Sequence, residues 1–486
     1  MHFLKAEISK SPSLVNNFYF SIIFSVINGI VNVIYPLFIG IYLGPVNYSS
    51  FAILLAIINL FILLNESVLL PSSIRFVSSA NIDTRNEIYS SNWIIYFSLL
   101  ITAFILFSLT QTIFSLSTFI QYFIFCILLI FITLHRYLRS VFQGLELYRH
   151  LDTLEIISLI LGLLSLILIL VTKVNSWESF FYPLIVYQLT FTLLSVFSYN
   201  VLRFKPIVDI PIIKKILRYG FFVGLGSLFS LGLTQYQIIF TSSKFSKLNT
   251  GQVAFWSYLV FPFTIFILSL TNAIFPRMVK LSQIDQLKVF HIFTRITKYL
   301  IIISMSIVIL LNLVILNVYN LKIHFLISFF NDNGLNLAVI YLVYGGGLVV
   351  YYSMIPLFSI YESRIYINSI LPFTLMLISV VFWNFFLSSK NVIIIPIGLF
   401  FAVFVITILE IGFITYYEQF DINLILLVLF YYITQLMLIY FNILDVIVKA
   451  GPLFTIMSVL IMMILLSFTL YKLLIFLRES TVHFKN

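Results

Sequence analysis

The residues able to do chemistry in this 486-residue chain are few, and most fall at helical spacing. Asn28, Asn32 and Tyr35 stand about one turn apart, just before Pro36. Gly220, Gly224, Ser227, Ser230, Thr234 and Gln237 recur at intervals of three and four. Arg136, Arg139 and Gln143 share one helical face, with His135 beside them. Arg75 follows Pro71, Arg277 follows Pro276, and Arg218 opens a further apolar run. Glu66 and Glu410 lie inside apolar runs, and Asp445 reads as interfacial. This is the chemistry of binding and passage. A polar stripe on a buried helix can line a path, and the 220–237 stripe can equally be a small-residue packing face containing Gly-x-x-x-Gly. Arginines at helix ends can receive an anion or can anchor the helix at an interface, where the dipole favours cations. A carboxylate within a membrane is functional by default and can carry a proton or a sodium ion. Both glutamates also lie close enough to one face to snorkel.

Enzymatic constellations are missing from the sequence. It contains no Gly-x-x-x-x-Gly-Lys-Ser/Thr, so it does not bind ATP as a P-loop pump. The six histidines (2, 135, 150, 291, 324 and 483) show no metal-ligand spacing. The single cysteine, Cys126, excludes an intramolecular disulfide. No nucleophile–base set is visible, and no cofactor is expected.

The elements that must position these residues follow from composition. The chain is 62% hydrophobic and 9% charged, whereas a soluble domain carries about 25% charged residues. Such a chain reads as an all-α polytopic membrane protein. Fourteen runs are long enough to span, among them 15–42, 48–70, 118–140, 153–172, 217–241, 251–275, 335–358, 422–443 and 452–476. The first is too long for a signal-peptide core and reads as an uncleaved helix. With fourteen spans and an inside N-terminus, only Lys173, Lys244, Lys247, Lys322, Lys390 and Lys449 fall outside. The remainder of the 27 lysines and arginines fall inside, which places both termini in the cytoplasm. The net charge of +10 is then topological, and no nucleic acid is needed to explain it. The external loops are short, so no external enzyme or receptor module is expected. An integral-membrane glycan polymerase, which usually carries a large external loop, fits poorly.

The stretch "LGPVNYSSFAILLAIINLFILLNESVLLPSSIRFVS" (43–78) parallels "SKLNTGQVAFWSYLVFPFTIFILSLTNAIFPRMVKLS" (246–282). Each begins with a polar turn, carries a polar pair before its proline (Asn65-Glu66, Thr271-Asn272), and ends with a proline and then a cation. The prolines are 205 residues apart, six helices on, so the two copies keep one orientation. Spans 1–6 and 7–12 would then be parallel lobes around a central cavity. The expected division is 1–203, 204–416, and 417–486 for two further helices and a tail. The competing reading is that any inward-going helix ends in a breaker and a cation. Gly345-Gly346-Gly347 offers either a hinge or close packing.

These residues resemble the oligosaccharide flippases of the multidrug/oligosaccharidyl-lipid/polysaccharide exporter superfamily. "LGPVNYSSF" is similar to that family's Leu-Gly-x-x-x-Tyr-Gly-x-Phe pattern, with Ser49 in place of a glycine. "HRYLRSVFQGLELYRHLDTLEII" resembles its linker between helices four and five, and the chain from "LRYGFFVGLGSLFS" resembles the start of its second lobe. The likeness runs over roughly 15–415. It implies alternating access and movement of a polyprenyl-diphosphate-linked sugar from the inner to the outer leaflet of a bacterial cytoplasmic membrane. The expected partners are that lipid-linked oligosaccharide, membrane lipid and other polysaccharide-assembly proteins. On this reading Asn28, Asn32, Tyr35, Ser227, Thr234 and Gln237 line the cavity. Arg75, Arg136, Arg139, Arg218 and Arg277 form a cationic rim for the diphosphate. Glu66 and Glu410 are ion-coupling candidates. Many relatives carry a charged residue in the middle of the seventh helix, where this chain has Thr234-Gln235-Tyr236-Gln237. A multidrug exporter of the same superfamily is the nearest competitor. Acidic residues deep in the first lobe are expected of it, and only Glu66 stands out there.

Overall fold

The computed structural model describes residues 33–79, 82–114, 119–145, 147–172, 176–198, 209–264, 267, 270, 278, 286–320, 327–330, 333–360, 366–387, 391–417, 422–441, 460, 462–473 and 475. Every element among them is helical. In chain order these are α1 (Tyr35–Ser79), α2 (Ile82–Phe114), α3 (Phe119–Gly144), α4 (Tyr148–Val171) and α5 (Tyr182–Ser198). Next come α6 (Ile210–Lys244), α7 (Lys247–Ser257), α8 (Gln286–Asn320), the single turn α9 (Ile327–Phe330) and α10 (Gly334–Ile360). The series ends with α11 (Ile367–Phe386), α12 (Ile394–Tyr417), α13 (Ile422–Phe441) and α14 (Met462–Leu473).

Ten described helices are long and apolar enough to cross a membrane, and α6, bent by 43° between Ile210–Gly226 and Leu228–Lys244, makes eleven. This is a multi-pass membrane protein. Eleven of the fourteen predicted spans have a described helix, while the first, eighth and fourteenth fall partly outside the described residues. The lipid-like exterior is explicit in the exposed aromatics: Phe119 and Phe197 expose 84% and 80% of their surface. In water such faces would drive aggregation.

Local chemistry sets the helix ends. The first and second predicted spans run together in α1, and the break between them is at Gly44, whose φ of 71° suits a residue without Cβ. Asp209 caps α6 by accepting the Ile212 amide at 2.9 Å, with Pro211 in the first turn, where a missing N–H costs nothing. Ser246 caps α7 through the Asn249 amide at 3.3 Å.

The packing falls into two groups. Helices α1 to α5 contact one another chiefly through α1–α3, α4–α5, α1–α2 and α3–α5, while α6 joins α11, α11 joins α12, and α10 sits between α8 and α12. Helix α1 meets α6 and α7 along the seam between the groups, and α13 lies on α8 and α10. Two buried indoles in this core find carbonyl acceptors. Trp383 Nε1 donates to the Ile395 carbonyl at 2.9 Å, and Trp256 Nε1 donates to the Phe329 carbonyl at 3.1 Å. The Gly345–Gly347 triplet is a packing feature: a Cβ on Gly345 would lie 2.8 Å from the Phe263 ring, and one on Gly346 2.3 Å from Tyr431 Oη.

Candidate functional site

The first candidate region is the seam between α1 and α6–α7. At one end, a Cβ on Gly251 would lie 1.9 Å from the Pro45 carbonyl oxygen, and Tyr48 stacks edge-on against Phe255 and Phe329. Midway, Asn59 Nδ2 donates to Gln235 Oε1 at 3.3 Å. At the other end, Cβ atoms on Gly224 and Gly220 would lie 2.5 Å and 2.4 Å from the Ser67 and Val68 carbonyl oxygens. These glycines therefore let two helix backbones touch. Beyond them, Arg75 of α1 lies 4.3 Å over the Tyr219 ring of α6, and Lys215 of α6 lies 5.5 Å over the Phe76 ring of α1. The two rings themselves meet edge to face at 5.8 Å. Arg75 and Lys215 make this the basic end of the seam, and the end of α3 meets α1 here, a Cβ on Gly144 lying 2.8 Å from Val77 Cβ.

A small recess opens beside the seam, lined by Thr234, Gln235, Gln237, Ser257, Tyr258 and Tyr352 among others. Its polar walls are mostly satisfied within the protein. Thr234 Oγ1 donates to the Leu231 carbonyl at 2.6 Å, and Gln237 Oε1 accepts from Tyr341 at 2.9 Å. Tyr35 is buried and donates to the Phe180 carbonyl. Asn28, Asn32 and Arg277 lie outside the described residues, as do the side chains of Glu66 and Ser227. Arg218 is exposed on α6.

The second candidate region lies within the first group, near the basic end. His135 and Arg139 are one turn apart on α3, Asp152 and Glu155 one turn apart on α4, and Tyr187 and Phe191 one turn apart on α5. The three faces converge. His135 Nε2 and Glu155 Oε1 are 2.9 Å apart, and Tyr187 donates to Glu155 Oε2. The His135 ring stacks on Phe191 with centroids 3.8 Å apart. Arg139 lies within electrostatic reach of both Asp152 and Glu155, and Arg136 of Tyr187. Glu155 is 0% exposed, His135 3% and Asp152 4%. The half-buried Arg139 thus has protein carboxylates beside it, and any incoming anion competes with them.

Sequence reasoning overlooked Asp152, Glu155 and Tyr187. The signal was available: Glu155 falls within the predicted span 153–172, and Asp152, Glu155 and Ser158 repeat every three residues along one face. The expectation that Glu66 is the one acidic group deep in the first lobe is corrected accordingly. Glu410 also differs from expectation. Rather than snorkelling, it is 0% exposed between α10, α12 and α13, near Tyr351 and Tyr432, and neither carboxylate oxygen has a hydrogen-bond partner among the described residues.

No protein-family model matches the sequence, and no curated protein matches it. Solved structures do. A structure of MATE in complex with MaD3S superposes with a TM-score of 0.61 at 16% identity, covering 83% of this chain and 97% of that one. The lipid II flippase MurJ, in an inward closed conformation, matches with a TM-score of 0.57 at 13% identity, covering 94% of this chain and 99% of the other. A MOP superfamily transporter from Pyrococcus furiosus matches with a TM-score of 0.56 at 13% identity, covering 82% and 93%. At such identities the likeness establishes architecture, and the chain has the fold of the MATE and MurJ transporters.

Proposed function

We propose that this protein carries a polyprenyl-diphosphate-linked oligosaccharide from the inner to the outer leaflet by alternating access, in the service of surface polysaccharide assembly. The observation that carries the reading is coverage. The likeness to a lipid II flippase takes in 94% of the chain, against 83% for the MATE complex. A chain with two helices beyond twelve is expected to differ in this way. The chemistry of such a cargo fits the distribution of polar groups. Its tail stays in lipid, while its diphosphate and sugar need a polar path, because unpaired charge in hydrocarbon is costly.

On this reading residues 1–203 and 204–416 are the two lobes, with 417–486 appended, and both ends face the cytoplasm of a bacterial inner membrane. Asn28, Asn32, Tyr35, Ser227, Thr234 and Gln237 belong to the path. Arg75, Arg136, Arg139, Arg218 and Arg277 form the rim that meets the diphosphate, and Glu66 and Glu410 are candidates for ion coupling. Other polysaccharide-assembly proteins are the natural partners, and the function requires no nucleic acid.

A second reading, an ion-coupled multidrug exporter, draws support from the TM-score of 0.61 to MATE and from the buried carboxylates at 152 and 155. Reconstitution separates the two. Vesicles containing the purified protein and a fluorescent polyprenyl-diphosphate oligosaccharide are probed with a membrane-impermeant reagent that destroys the fluorophore. Protein-dependent transfer between leaflets supports the flippase. Efflux of a cationic dye with no lipid transfer refutes it in favour of the exporter.

A further inference from the structure

The cluster between α3, α4 and α5 holds two carboxylates in unlike settings. Glu155 has a donor at each oxygen, His135 Nε2 at 2.9 Å and the Tyr187 hydroxyl. Asp152, one turn earlier and only 4% exposed, has no hydrogen-bond partner at either oxygen among the described residues. An ionised carboxylate without donors is costly to bury, while the neutral acid is not. Against this stands Arg139 of α3, the cation within electrostatic reach of Asp152, while Glu155 of α4 adds like charge beside it. His135 of α3 and Tyr187 of α5 engage Glu155, Arg136 of α3 acts on Tyr187, and Arg149 and His150 of α4 are exposed. Burial and Glu155 favour the neutral acid while Arg139 favours the carboxylate, so opposing influences meet at this one group, the condition for an exchangeable proton.

A second observation points the same way. His135 is 3% exposed, yet its Nδ1 has no partner among the described residues. The order Asp152, Glu155, His135 then leads from the start of α4 into the interior, with the two carboxylates about 4.5 Å apart along the helix axis.

We propose that α3, α4 and α5 form a proton-binding site in which Asp152 takes up and releases the proton while Glu155 remains charged between His135 and Tyr187. The step is bare proton exchange: an O–H bond forms at an Asp152 oxygen with a proton from water at the basic end, and breaks in reverse. It holds for either cargo, since neither a lipid-linked sugar nor a drug enters the argument.

The test is infrared spectroscopy on the purified full chain in lipid nanodiscs, titrated with acid and base. The protein is made with carboxyl-¹³C aspartate, so that aspartic and glutamic acid bands separate. A protonated-carboxyl band at the labelled frequency, lost reversibly as pH rises, is expected in the wild type and absent in Asp152→Asn. In Asp152→Glu, still with labelled aspartate, the titrating band moves to the unlabelled frequency, which keeps the test decisive should the asparagine variant fail to fold. A titrating band found only at the unlabelled frequency in the wild type, or a labelled band that survives in Asp152→Glu, overturns the proposal.

Discussion

Substituting Gly224 with alanine tests how tightly the seam is closed. The added Cβ would lie 2.5 Å from the Ser67 carbonyl oxygen and 2.7 Å from its carbon, against 3.4 Å for the nearest ordinary contact. The clashing atoms are backbone, so no rotamer change relieves them, and α1 and α6 must separate by almost an ångström. Overpacking of this kind costs about 1–3 kcal/mol. Alanine also favours the helix over glycine by about 1 kcal/mol. That gain offsets the loss in folding stability but acts equally on a closed and a parted seam. The equilibrium between closed and parted states therefore feels the whole clash, about a 5–150-fold shift. The assay is the labelling rate of Val68→Cys by an impermeant maleimide, in a chain whose only native cysteine, Cys126, is replaced by serine. Labelling should rise by that factor in Gly224→Ala while the thermal midpoint moves little. Gly232→Ala on the same helix is the control, because its Cβ meets nothing closer than Leu60 Cδ2 at 3.8 Å. Unchanged labelling in folded Gly224→Ala, or an equal rise in Gly232→Ala, refutes the reasoning.

Three further outcomes follow. Gly251→Ala places Cβ 1.9 Å from the Pro45 carbonyl oxygen, so detergent-solubilised protein should lose thermal stability far more than Gly224→Ala does, and equal midpoints contradict this. Tyr187→Phe removes one of the two donors to Glu155 and should cost about 1.5–3 kcal/mol in unfolding, as expected for a hydrogen bond to a charged group, whereas an unchanged midpoint means the bond carries no weight. Arg139→Ala leaves buried Asp152 and Glu155 without their neighbouring cation and should cost about 3–5 kcal/mol, with reduced protein yield. Normal yield and stability combined with lost transport would instead make Arg139 a substrate contact alone.

Much of the architecture was legible because a membrane leaves few choices. Apolar length alone located eleven spans that the structure describes as helices, and the short polar turn at Gly44-Pro45 separates the second predicted span from the first as expected. The 220–224 glycines were read two ways, and only the distance to the Ser67 and Val68 carbonyls selects close packing. The charge cluster was missed for a different reason. Asp152 and Arg139 lie near predicted span ends, where charged residues are commonplace, and hydropathy gives no hint that His135 meets Glu155 across the α3–α4 hairpin. Glu410 shows the same limit: its place along α12 was readable, but its enclosure by α10 and α13 depends on helices distant in sequence.

The crossed pairing of Arg75 with Tyr219 and of Lys215 with Phe76 has a consequence for motion. A clasp made of cations on rings contributes about 0.5–2 kcal/mol per contact. The released cations and tyrosine are side chains that settle comfortably among lipid headgroups. The two groups of helices can therefore be fastened at the basic end by an attachment that is reversible and ready to exchange protein neighbours for the membrane surface.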